Sequence, residues 1–137
     1  MAPLHLPPRA TEVFLLVNGT VHTEMVPESG VLTDDGDQRV IRTQLKPGQM
    51  TVFPAGSFHA QVNTECEPVF AVAAFSAEDP GAGAVVPGAL AFTDEFAGPA
   101  FGIKGEDVDS YRERIPEGAA GVVEECLAKC GLEKRQY

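Results

Sequence analysis

Short runs of apolar and β-branched residues, separated by turn residues, occupy the first 75 positions of the chain. Runs of this length and composition are typical of β-strands. The six runs that predict strands are residues 11–17, 20–26, 38–45, 49–53, 58–63 and 69–75. Between the first two runs, Asn18-Gly19 suits a two-residue hairpin turn, which needs residues that tolerate positive φ. The first part of the chain is therefore predicted to be all-β.

The last third of the chain changes to a helical pattern. A polar segment at 76–81 and an Ala/Gly-rich connector follow the last predicted strand. Apolar residues then recur three and four positions apart, first at Val108, Tyr111 and Ile115 and, after Pro116, at Val122, Cys126, Leu127 and Cys130. Gly131 suits a helix end. We predict two short amphipathic helices that pack on the β-structure or on a neighbouring subunit.

Composition limits the class of protein. With 137 residues, 44% of them hydrophobic, the chain can build a single core, so we expect one domain. Twenty acidic against 10 basic residues give a net charge of −10, which argues against nucleic acid or an anionic membrane surface as partner, since both are also negative. Small molecules, metals and other proteins remain as partners. We see no signal peptide and no membrane-spanning stretch.

The spacing between residues 48 and 63 indicates a binding site. It is Gly48, five residues, Pro54, one residue, Gly56, two residues, His59, three residues and Asn63. Pro54 and Gly56 predict a turn, and the period of two along the following strand places His59, Gln61 and Asn63 on one face. An imidazole and amides then share one cavity. The alternative is a buried histidine that only hydrogen-bonds its surroundings.

A second group of polar residues lies near the N-terminus. His5 is followed by Glu12 after six residues and by Gly19 after six more, and residues 8–12 read Pro-Arg-Ala-Thr-Glu. Together the two segments resemble the two motifs of the cupins, and of the germins and spherulins in particular, including the fungal spherulin-like branch. In those motifs a second histidine stands where this chain has Pro7.

The resemblance implies a jelly-roll β-barrel with a short helical C-terminal extension. We assign residues 1–80 to the barrel, with the first motif at 5–19 and the second at 48–63, and residues 81–137 to the connector and helices. A jelly roll usually has eight strands, and the run at 11–17 is apolar on both faces. We therefore expect the barrel to be N-terminally incomplete, or completed by a partner.

The resemblance also implies a metal, its ligands and an activity. It predicts Mn²⁺ held by His5, Glu12 and His59, with Asn63 near the metal ligands or orienting a small-molecule substrate. Oxalate oxidation or superoxide dismutation, an extracellular location and a homo-oligomer are expected from the same family. The alternative is a non-catalytic stress or cell-wall-associated cupin with a degraded site, because Pro7 cannot bind metal.

Other candidate residues carry weaker signals. Cys126 and Cys130 lie one helical turn apart, so a disulfide from Cys66 to either of them is the better prediction than a bond between the pair. Three reduced thiols are the alternative. We expect His22 and Arg9 to be surface residues, although Arg9 could also contact substrate.

Overall fold

The computed structural model describes residues 2–115 and 124–132, and within them eight strands and four helices. The strands are β1 (Ala2–Leu6), β2 (Glu12–Asn18), β3 (Val21–Val26), β4 (Ile41–Leu45), β5 (Met50–Phe53), β6 (Phe58–Val62), β7 (Phe70–Phe75) and β8 (Gly83–Ala84). The six strands from β2 to β7 match the six predicted runs to within a few residues. The all-β prediction for the barrel is confirmed.

The strands form two antiparallel sheets that face each other. One sheet has the order β4-β3-β6-β1-β8 and the other the order β5-β2-β7. Leu16 of β2 packs against Val21 and Leu45 of the larger sheet, and all three are buried. This arrangement is the two-layer jelly roll that the sequence predicted. The interior between the sheets is where inward-facing polar side chains meet.

The predicted hairpin at Asn18-Gly19 is wrong. Strand β2 pairs with β5 and β7, whereas β3 pairs with β4 and β6, so the turn joins the two sheets instead of two neighbouring strands. Glycine is still required there. Gly19 has a φ of 90°, and a Cβ on it would lie 2.7 Å from Cγ2 of Val69. The sequence signal for a turn was sound, but it does not say which strands the turn connects.

Strand β1 was not predicted. Its pattern is short and lies among prolines, which weaken a strand prediction. In the structure, β1 lies between β6 and β8 and pairs with both. The N-terminal segment is therefore part of the sheet, and His5 is held in register opposite His59. Strand β8 extends the same sheet beyond residue 80.

The other face of β2 is exposed. The outward side chains of the three-stranded sheet form a continuous apolar surface, which we call the outer face: Leu15, Val17, Met50, Val52, Phe70 and Val72. Their exposure agrees with the sequence expectation that β2 needs a cover on both sides. Within the described residues, only the inner side of β2 is covered by other side chains.

The C-terminal part contains more helix than expected. Helices α1 (Val85–Leu90) and α2 (Asp94–Phe101) lie in the predicted connector, and α3 (Gly105–Arg112) and α4 (Glu124–Cys130) overlap the two predicted helices. Val122 lies outside the described residues. The first two helices were missed because the segment is rich in alanine and glycine, a composition that predicts a connector. Leu90, Ala97 and Val108 form a small buried cluster between α1, α2 and α3.

A disulfide connects α4 to the barrel. Cys66, in the loop after β6, is bonded to Cys130, and Cys126 is a free thiol. The prediction that Cys66 bonds one of the two helical cysteines is confirmed. Among the described helices, none has the length and apolar character needed to cross a membrane.

Candidate metal centre

The three predicted metal ligands meet inside the barrel. His5 comes from β1, His59 from the neighbouring β6, and Glu12 from β2 in the facing sheet. One ligand atom from each residue lies within 4.8 Å of the others. Glu12 is 3% exposed and His59 is fully buried. The group joins the two sheets, and two of its three side chains are buried from bulk water.

The imidazole of His59 is held with one nitrogen free. Its Nδ1 lies 3.0 Å from the carbonyl oxygen of Ser57, which can only accept a hydrogen bond, so Nδ1 carries the hydrogen. The Ser57 hydroxyl donates to the carbonyl of Pro54 at 2.7 Å, which fixes the turn before β6. Phe53 stacks on the ring with centroids 4.0 Å apart. These contacts direct Nε2 into the site.

His5 is oriented in the same way. Its Nδ1 donates to the carbonyl of Pro3 at 2.7 Å, which leaves Nε2 as the free nitrogen. The ring lies edge-on to that of His59, with centroids 4.4 Å apart. A backbone carbonyl that holds the far nitrogen of a histidine is the usual support of a metal ligand.

The electrostatics of this group favour a cation. Nε2 of His59 lies 3.3 Å from Oε2 of Glu12. With the hydrogen of His59 on Nδ1, both of these atoms are acceptors, and their contact is repulsive unless a proton or a cation lies between them. Two ligands bound at about 2.1 Å and at right angles on one ion are about 3 Å apart. Two imidazoles and a carboxylate also form a donor set that suits manganese or iron.

Pro7 occupies the position of the missing histidine. It is buried, and its carbonyl accepts the N–H of Gly56 at 3.0 Å, so the first motif is tied to the turn of the second. The residue thus contributes to the frame of the site but offers no side-chain donor. Of the four ligands that the resemblance implies, the side chain at this position cannot be one.

The two amides after His59 have different environments. Asn63 lies in the turn after β6, where its side chain donates to the carbonyl of Glu67 and accepts from the N–H of Glu65. None of these contacts supports the predicted role of Asn63 beside the metal, and that role stays a prediction. Gln61 is buried on the same face as His59. Its Oε1 has no hydrogen-bond partner among the described residues.

Gln61 was predicted to lie on this face, but no role was predicted for it. The period of two along β6 was the signal that could have selected it. Asn63 drew attention because it completes the motif spacing.

Two further residues lie away from the ligands. Arg9 is exposed and donates to the carboxylate of Asp79 at 2.7 Å, and this hydrogen bond lowers the pKa of Asp79 below its ordinary value. His22 alternates with the inward-facing Val21 and Thr23 on β3, and its Nε2 accepts from Gln44 at 3.2 Å. It faces away from the site and cannot replace the absent histidine. Both are surface residues, as expected.

Comparisons with known proteins agree with this fold. The model of the family described as "Cupin" matches residues 1–109. Spherulin-1A of Physarum polycephalum is 30% identical over 129 residues, which cover 93% of this chain and 50% of the spherulin. Germin-like protein 8-2 of Oryza sativa subsp. japonica is 38% identical over 80 residues, covering 58% of this chain and 34% of that protein. The chain thus spans about half the length of the spherulins.

Solved structures show the same fold. A structure of oxalate oxidase superimposes with a TM-score of 0.70 at 21% identity, over 85% of this chain and 57% of the enzyme chain. Vicilin from Corylus avellana superimposes with a TM-score of 0.68 at 21% identity, over 86% of this chain and 34% of that protein.

Proposed function

This chain belongs to the cupin family, and we propose that it is a manganese-binding member similar to the germins and spherulins, which holds one ion with His5, Glu12 and His59. The observation that carries the proposal is the buried contact between the acceptor Nε2 of His59 and the carboxylate of Glu12 at 3.3 Å. Such a contact is stable when a cation binds both groups.

The residues around the ion would control its access and position. Pro3 and Ser57 hold the two imidazoles, and the ring of Phe53 covers one side of His59. Three protein ligands leave coordination positions for a small molecule. When bound, the ion supplies Lewis-acid and one-electron chemistry at those positions.

We propose oxalate oxidation or superoxide dismutation as the activity. The likeness to a solved oxalate oxidase supports the first, and both substrates are small anions that a bound cation attracts. The test is an assay of both reactions with the purified chain, first stripped with a chelator and then supplied with Mn²⁺. We expect one of the two activities to appear only with Mn²⁺. Mn²⁺ binding without either activity would support the metal site and contradict the proposed enzymatic activity.

A second candidate function is favoured by Pro7. A cupin that lacks one ligand can keep the barrel while serving as a non-catalytic stress or cell-wall-associated protein. Binding of Mn²⁺ would then be weak, and neither activity would be seen.

Restoring the ligand distinguishes the two candidates. We expect Pro7→His to raise the affinity for Mn²⁺ by about tenfold or more, because an added imidazole completes the family's ligand set. The carbonyl that accepts from Gly56 is retained in this variant. Calorimetric titration measures the change, and Pro8→His, which alters the neighbouring exposed proline, is the control. Unchanged affinity in Pro7→His would show that the native site is not a weakened remnant.

We also propose that the protein is extracellular and forms a homo-oligomer. The Cys66–Cys130 disulfide supports an oxidising compartment. The outer face supports association, since side chains such as Phe70, 61% exposed, and Met50, 64% exposed, form one apolar surface. Sedimentation of the intact chain as a monomer would contradict the oligomer.

A further inference from the structure

Gln61 is a buried polar residue whose side-chain oxygen has no hydrogen-bond partner among residues 2–115 and 124–132. Its side chain lies in the barrel interior, 6% exposed, and Oε1 accepts no hydrogen bond from the described residues. Its cross-strand neighbours are Thr23 on β3 and Ala2 on β1, and neither donates to it. A buried amide oxygen without a donor is unfavourable, so its retention calls for an explanation.

The position of Gln61 points to the metal centre. It follows His59 by two residues on the same strand and therefore faces the same interior. Their Cα atoms are about 7 Å apart at the ordinary rise of a strand. Side chains on a strand lean along the strand direction, so an extended Gln61 side chain can bring Oε1 toward an ion held by His59.

We propose that Oε1 of Gln61 is a fourth protein ligand of the ion held by His5, Glu12 and His59. The inference rests on the function proposed above. An amide oxygen is a hard, neutral donor that suits Mn²⁺, and it adds no charge to a buried site. It would supply, from β6, one of the contacts that Pro7 cannot provide from the first motif.

The test compares Mn²⁺ affinities by calorimetric titration of the full chain. We expect Gln61→Leu to weaken binding by about tenfold or more, as for loss of an important contact of a metal site. We expect the metal-free variant to be at least as stable to heat as the wild type, because an unpaired buried oxygen has been removed. If Gln61 only supported the fold, the metal-free Gln61→Leu variant would be less stable to heat than the wild type. The matched control is Gln44→Leu, the same substitution at an exposed position of β4.

A second variant keeps the proposal testable if Gln61→Leu does not fold. Gln61→Glu retains an oxygen donor and adds a charge, so it should bind Mn²⁺ at least as tightly as the wild type. Tenfold weaker binding by this variant, or unchanged affinity in Gln61→Leu, would overturn the proposal while leaving the three-residue site intact. A wild-type chain that binds no Mn²⁺ would instead refute the proposed function, and this inference with it.

Discussion

Glu12→Gln is expected to weaken Mn²⁺ binding by at least about 100-fold while the barrel stays folded. The substitution removes the only charged ligand of the three, and it keeps the size of the side chain. It also relieves the contact with His59, because an amide can donate to the free Nε2 that lies 3.3 Å from the carboxylate. We therefore expect the metal-free variant to melt at the same temperature as the wild type, or higher.

The matched control for this variant is Glu24→Gln. Glu24 is an exposed residue on β3 whose carboxylate pairs with Arg42 at 2.9 Å. Its replacement should leave Mn²⁺ affinity unchanged, since surface ion pairs contribute little and the residue is not part of the site. Mn²⁺ binding that survives in Glu12→Gln would place the ion elsewhere. A large loss of stability in the metal-free variant would show that the carboxylate has a structural role instead.

Removal of the disulfide has the largest expected effect on stability. Cys66 and Cys130 are 64 residues apart, so their bond restricts a long segment of the unfolded chain. The Cys66→Ser variant loses the cross-link that closes this loop. We expect its free energy of unfolding to be lower by about 4 kcal/mol. Urea unfolding of the oxidised protein measures the change.

The control for the disulfide is Cys126→Ser. Cys126 is not bonded to another cysteine, and its Sγ makes a long contact of 3.7 Å with the carbonyl of Asn63. We expect a change of less than about 1 kcal/mol, since such weak contacts contribute little. Equal losses in the two variants would mean that the cysteines matter through packing and not through the bond.

The strands of the barrel could be predicted because their patterns are local. Strands β2 to β7 are runs of β-branched and aromatic residues between turn residues, and each run carries its own signal. Strand β1 has no such signal. Its place in the sheet depends on pairing with β6 and β8, which lie far along the chain. The same holds for the turn at Gly19, where the sequence marks a bend but not the sheet that each strand joins.

The site was predicted unevenly for a related reason. The resemblance of the two motifs to those of the cupins implied His5, Glu12 and His59 as ligands, and the structure brings their ligand atoms together. Spacing cannot show where an amide makes its hydrogen bonds. Asn63 completes the motif, yet its side chain makes hydrogen bonds within a turn, whereas Gln61 is buried and its oxygen has no partner in the part of the chain that the structure describes. Which amide faces the ligands depends on where β6 ends.

Helices α1 and α2 show that residues with low helix propensity do not always prevent a helix. Pro87 and Pro99 lie inside these helices, and the segment was predicted to be a connector because it is rich in alanine and glycine. The buried contacts of Leu90 and Ala97 with Val108 stabilise the segment in spite of its low helix propensity. Such tertiary contacts cannot be read from a window of sequence.

Binding of Mn²⁺ by His5, Glu12 and His59 is tested most directly by electron paramagnetic resonance. The chelator-stripped chain is titrated with Mn²⁺, and the signal of the bound ion is examined for coupling to nitrogen. We predict saturation at one ion per chain, with coupling to imidazole nitrogen that is reduced in His59→Ala and lost when His5 is replaced by alanine as well. A metal centre at these residues would be contradicted if only the signal of free Mn²⁺ were seen throughout the titration. Bound Mn²⁺ without nitrogen coupling would contradict it as well.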